Sequence, residues 1–153
     1  MDIAYSIRSK ATRALVESVI TFFEQDLKLT KSTWSLGVYT KRGLSDSDGC
    51  RGSVTRVGPK HLIMFLDSKL DVERLILTMA HEMVHVKQFA RGQLKEIEGR
   101  TQVRYWMGKK VRKGYFEQPW ELEAFSKERV LANKIFKIIN LFIRLPKIKF
   151  QFL

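Results

Sequence analysis

The 153-residue chain is 44% hydrophobic and 11% aromatic, which is enough for one compact domain and too apolar for a disordered segment. Lys and Arg number 28 against 16 Asp and Glu, so the formal charge is +12 and the surface attracts polyanions nonspecifically. The one cysteine, Cys50, excludes an intrachain disulfide framework and points to a reducing compartment.

Between Met1 and Val19 the apolar residues are interrupted by Arg8, Lys10, Arg13 and Glu17, so the apolar core of a signal peptide is missing. The apolar stretch Ile135 to Leu145 is broken by Lys137, Asn140 and Arg144 and falls short of the roughly 20 residues a spanning helix needs. The expectation is a cytoplasmic protein with no signal peptide and no transmembrane segment. No repeat, low-complexity tract or linker divides the sequence, so residues 1–153 read as a single domain.

In chain order, Ile7, Ala11, Ala14, Leu15, Val19, Phe22, Phe23 and Leu27 recur at helical spacing, which predicts an amphipathic helix from about Tyr5 to Leu27. Trp34 to Thr40 alternates as a strand, and Gly43 with Ser45 to Gly49 supplies turn chemistry before a second strand. After Gly58-Pro59, the run His61 to Leu66 predicts a third strand. Asp67, Ser68 or Asp71 can cap a helix from about Val72 to Ala90, with Glu73 in its first turn where the macrodipole favours a carboxylate. That helix is apolar on most sides, as a helix at the centre of a fold is. Gly92 ends it. Residues 93–114 are basic, glycine-punctuated and aromatic, and read as a hairpin or mobile excursion. Pro119 suits the first turn of a last helix reaching about Phe142, which Pro146 stops, leaving a tail over 146–153.

Inside the central helix stands His81-Glu82-Met83-Val84-His85, the H-E-x-x-H pattern. Residues four apart share a helix face, so both imidazoles reach one cation while Glu82, one step round, contacts a water beside it. With three His and ten Glu in the chain, the pattern arises by chance in only about 0.4% of random sequences of this composition. Two imidazoles and a carboxylate within a greasy helix are costly unless a metal or a hydrogen-bond network satisfies them. A catalytic zinc site takes three protein ligands. No histidine follows His85, which excludes metzincin and SprT-like patterns and calls for a carboxylate. Pro119-Trp120-Glu121-Leu122-Glu123-Ala124-Phe125 offers Glu121 and Glu123.

These segments resemble the gluzincin group of zinc metallopeptidases, in which H-E-x-x-H on one helix is joined by a glutamate from a second, downstream helix. The resemblance covers about Leu75 to Gly92 and Tyr115 to Arg129. His81 to Phe89 with Pro119 to Phe125 is also similar to small phage-type metallopeptidases, for which the compartment is the host cytoplasm. The family's E-x-x-A pattern is matched by Glu121 and Ala124. The resemblance therefore implies that His81, His85 and Glu121 bind Zn²⁺, with Glu123 as a supporting partner or an alternative ligand. It implies that Glu82 is the general base, taking a proton from a zinc-activated water that attacks a peptide carbonyl. Where the family carries an acidic residue four after the ligand, this chain has Phe125. The family also sets a strand beside the substrate just before the metal-binding helix; His61 to Leu66 is read either as that edge or as an interior strand. Tyr105, Tyr115 and His61 are candidate oxyanion donors.

The expected fold is thus an α+β, minimal zincin-like domain: an N-terminal helix, a small mixed or antiparallel sheet of three or four strands, the metal-binding helix, the basic excursion and a C-terminal helix. Its expected function is peptide-bond hydrolysis on a peptide or protein substrate. Arg100, Arg104, Lys109, Lys110, Arg112 and Lys113, interleaved with Tyr105, Trp106 and Tyr115, offer a nonspecific nucleic-acid surface. Two alternatives follow: a nucleic-acid-associated protein with a structural zinc, and a zincin-like interaction module without catalysis. The sequence does not define an oligomeric state.

Overall fold

A computed structural model of the chain describes residues 1–47, 49–97, 100–112 and 117–144. Asp48, Lys113, Gly114, Tyr115 and the expected stop and tail at 146–153 lie outside them. Eleven elements follow one another: β1 (Asp2–Ser6), α1 (Lys10–Asp26), β2 (Ser35–Lys41), α2 (Leu44–Ser47), β3 (Gly52–Gly58), β4 (His61–Asp67), α3 (Val72–Ala90), β5 (Leu94–Ile97), β6 (Arg100–Trp106), β7 (Lys109–Val111) and α4 (Pro119–Arg144). The fold is α+β, as the sequence implies, with a four-stranded mixed sheet ordered β1-β2-β4-β3 and a three-stranded antiparallel sheet ordered β5-β6-β7.

The first strand corrects the expected start of the N-terminal helix. Residues 2–6 pair in parallel with β2, from Asp2 opposite Ser35 to Ser6 opposite Tyr39. Helical spacing at Ile7 and Ala11 masks this, because strand pairing is decided by a partner some thirty residues away. The helix begins only after Ser9, whose Oγ accepts the Thr12 N–H at 3.3 Å and caps it.

In the four-stranded sheet, register places Leu36 opposite Leu62 and Val38 opposite Met64, while Gly52 lies opposite Leu66 and Val54 opposite Met64. Leu36, Val38, Leu62, Met64 and Leu66 therefore share one face, all with at most 1% exposure. They form a single core with Val16, Ile20 and Phe23 of α1 and with Ile76, Met79 and Met83 of α3. Each such side chain stabilises the fold by about 1.5–3 kcal/mol over its exposed state.

β2 and β3 are not neighbours; β4 lies between them, parallel to β2 and antiparallel to β3. This settles the two readings of His61 to Leu66: the strand is interior, and the peptide-facing reading of it is corrected. β3 is at an edge. The apolar run fits a strand whose second face is also partly covered, since Ile63 and Phe65, opposite the core-facing Leu62, Met64 and Leu66, are half-buried. β4 runs on to Asp67, so Asp71 is the cap of α3, its Oδ1 accepting the Arg74 N–H at 2.8 Å. Asp67 instead accepts the backbone N–H groups of Gly43, Ser45 and Lys69 at 2.8–3.0 Å, pinning the β2–α2 connection. That connection contains the short α2 where the sequence suggested only turns.

α3 is buried at every position from Leu75 to Phe89 except Leu77. α4 packs along it through Trp120, Ala124, Leu131, Ala132 and Ile135. Gly92, at φ 66°, releases the chain from α3 into β5. The basic excursion is an antiparallel meander, with buried Leu94 and half-buried Trp106 and Val111 packed on the core. No helix among the described residues is long and apolar enough to cross a membrane.

Candidate metal centre

His81 and His85 lie one turn apart on α3, and the first turn of α4 brings Glu121 against them. The three side chains are buried, with residue exposures of 8%, 8% and 4%. His81 Nε2 is 3.1 Å from His85 Nε2 and 3.3 Å from Glu121 Oε2, and His85 Nε2 is 3.5 Å from that same oxygen. Ligands held about 2.0–2.1 Å from a tetrahedral metal are about 3.3 Å from one another. The triangle has the dimensions of such a site, and the group can hold a metal ion.

The outer hydrogen bonds decide what the inner nitrogens are. Gln88 Nε2 donates to Trp120 O and Glu123 Oε2, each at 2.9 Å, so its Oε1 faces His85 Nδ1 as an acceptor, also at 2.9 Å. His81 Nδ1 lies 2.8 Å from Glu128 Oε2, a carboxylate oxygen. Both Nδ1 atoms are therefore donors, which leaves the Nε2 atoms to face each other and Glu121. Two ring nitrogens and a carboxylate oxygen converging in a buried space can share a cation. Without a metal a proton serves: burial pulls the His81 pKa down, but the hydrogen bonds to Glu121 and Glu128 prevail and push it up to about 9. Burial likewise tends to raise the Glu121 pKa, yet hydrogen bonds from His81 and His85 hold it down at about 2, so it remains a carboxylate. A metal ion bound there at neutral pH would displace that proton.

Glu82, one step round α3 from His81, lines a cavity of ≈ 220 Å³ that it shares with His81, His85 and Glu121. It is 5% exposed, and burial raises its pKa above the ordinary carboxylate value. Gly52 and Val54 of the edge strand and Arg104 of β6 line the same cavity. A Cβ at Gly52 would fall 2.6 Å from Thr78 Cγ2 and 3.1 Å from both Cγ and Oε1 of Glu82. Glycine there lets the strand lie directly against the acid.

The other sequence candidates are elsewhere. Glu123 is drawn to Lys87 Nζ at 2.5 Å, to Lys127 and to Gln88, so it supports the centre through Gln88 and is outside the ligand group. His61 is exposed, with Nδ1 2.6 Å from Ser35 Oγ. Neither it nor Tyr105 lines the cavity, and Tyr115 is outside the described residues. Arg104 is tied by its Nε to Glu96 at 2.9 Å and stacks over Trp120, whereas Lys109, Lys110 and Arg112 are exposed.

Sequence reasoning missed Glu128, Gln88 and Gly52. Phe125, standing where an acid was expected, packs edge-on against the His81 ring at 4.8 Å. The acid comes instead from Glu128, two turns beyond Glu121 on the same side of α4, a spacing that helical periodicity makes visible once the ligand is known. Gln88, three after His85, carries the same kind of signal. Gly52 carries none, because its role depends on which strand approaches α3. Comparison with protein-family models, curated proteins and solved structures finds no match to the chain.

Proposed function

We propose that the protein is a zinc-dependent peptidase. The observation that carries this reading is the arrangement of three converging ligand atoms with a fourth buried acid, Glu82, in the same cavity. Three ligands suit a site with one position left for reactants, whereas structural zinc sites are closed by four. Among the described residues no fourth His, Cys, Asp or Glu joins the group. Two nitrogens and one carboxylate oxygen match zinc's preference, and zinc bound there would supply acidification of a water and polarisation of a carbonyl.

The protein's own part is positioning and proton transfer. Gln88 and Glu128 orient the two imidazoles by accepting from their Nδ1 atoms. Glu82 takes the proton of the attacking water on its carboxylate and delivers it to the departing amine nitrogen. Burial raises its pKa above the ordinary carboxylate value, which makes it a stronger proton acceptor than an exposed glutamate. An extended substrate pairs with the free edge of β3, where Gly52 and Val54 line the cavity beside Glu82.

The test uses purified protein with an unstructured protein substrate. About one zinc per chain and proteolysis are expected. Glu82→Gln should keep the zinc and lose about 10²–10⁴-fold in rate, while His81→Ala should lose the metal. No zinc under metal-replete conditions, or undiminished cleavage by Glu82→Gln, overturns the reading.

A further inference from the structure

A second concavity of ≈ 470 Å³ lies away from the metal centre, where β2 and β4 begin and α3 ends. Its lining includes Arg91, at the C-terminal end of α3, nine residues and about 13 Å along the helix axis from Glu82. Four cations line it, Lys28, Lys31, Lys60 and Arg91, and none of the lining residues is acidic. The side chains of the three lysines make no hydrogen bond or ion pair among the described residues. Arg91 is held in place by its Nη2, which donates to Leu27 O at 2.9 Å. Trp34 forms a wall, with Arg56 stationed 6.0 Å from its ring centroid.

Lys28 and Lys60 stand at φ 57° and 56°, in the left-handed region that favours glycine. The backbone thus carries strain at two of the four cations, which glycine at either position would relieve. Unpaired like charges crowded into a concavity repel one another and are neutralised by a polyanion.

We propose that this cleft binds single-stranded nucleic acid, its cations meeting consecutive phosphates and Trp34 stacking on a base. A cleft for acidic peptide needs the cations alone, and a membrane surface calls for a convex patch; the aromatic wall within a concave basic site favours a nucleotide chain. The volume lies within the roughly 300–1,000 Å³ typical of ligand sites. The site is separate from the basic excursion over 93–114, and the proposal does not depend on the peptidase reading.

The test is fluorescence anisotropy of a labelled oligothymidylate across a salt series. Binding should weaken steeply with salt. The double variant Lys28→Gly, Lys60→Gly removes two charges where glycine suits the backbone, so its fold is preserved; unfolding temperature checks this. It should weaken binding about tenfold or more and reduce the log–log salt slope by about 1.4, the value for two single-strand phosphates. Lys109→Gln with Lys110→Gln, at the two exposed lysines of β7, should change affinity less than about twofold. Absence of oligonucleotide binding, wild-type affinity in the glycine variant, loss confined to the β7 variant, or equal competition by polyglutamate each overturns the proposal.

Discussion

His81 Nδ1 and Glu128 Oε2 stand 2.8 Å apart although 47 residues separate them in sequence. This contact joins the middle of α3 to the second turn past the candidate ligand Glu121 on α4. It turns the His81 ring so that Nε2 faces Glu121 and His85, and it gives the imidazole a carboxylate partner that strengthens it as a ligand.

Glu128→Leu removes that partner at a side chain 26% exposed, so the fold should survive while metal affinity falls about 10–100-fold. Glu128→Gln keeps an oxygen acceptor and should recover most of the loss. Competition with a chromophoric chelator measures both. Equal affinities for all three proteins would show that the contact does not orient the ligand.

Gly52→Ala places a methyl group 2.6 Å from Thr78 Cγ2 and 3.1 Å from the Glu82 side chain. Either β3 or Glu82 must shift, at a cost of about 1–3 kcal/mol in stability. Adding Thr78→Ser removes the closest contact and should restore much of the stability. The contact with Glu82 remains, so proteolysis should stay low with metal content unchanged. Urea unfolding, metal analysis and a cleavage assay separate the three quantities.

Glu123 and Glu121 are expected to fail in different ways. Glu121→Gln removes a ligand oxygen's charge and should empty the site of metal at concentrations that saturate the wild type. Glu123→Gln leaves Lys87, only 4% exposed, without its carboxylate, and should cost about 2 kcal/mol in urea unfolding. Its metal should be retained. The reverse pattern would make Glu123 the ligand.

Acid stability reports on Asp67. Burial raises its pKa, but backbone N–H donors from Ser45, Lys69 and Gly43 outweigh this and bring it to about 2. A depressed carboxylate pKa stabilises the fold above its unfolded value, near 4, and that contribution is lost as pH falls from there through about 2. Asp67→Asn leaves donors underused and should cost about 1–2 kcal/mol at neutral pH. Its unfolding free energy should then fall less steeply than the wild type's between pH 4 and 2. Parallel acid limbs would exclude Asp67 as a source of the dependence.

Much of the site was legible because it is local. The spacing of His81, Glu82 and His85 acts within two turns of one helix, and Asp71 and Gly92 mark that helix's ends by turn and cap chemistry that needs no distant partner. The Pro119 start of α4 was visible for the same reason, and with it the two glutamates from which Glu121 is drawn. Periodicity misled at the start of the first helix, which it places at about Tyr5, whereas Tyr5 and Ser6 end β1 and α1 begins at Lys10.

By itself the sequence determined the α+β class, the central buried helix and the residue types able to hold a metal. Only tertiary structure decided that β4 is interior and β3 an edge, that Glu121 meets the histidines while Glu123 turns to Lys87, and that Glu128 and Gln88 hold the rings. It also brought Lys28, Lys60 and Arg91 from three separate connections into one cleft. The physical reason is that helix periods and caps are set by neighbours along the chain. Strand order, and which charge finds which partner, follow instead from how apolar faces distant in sequence are buried together.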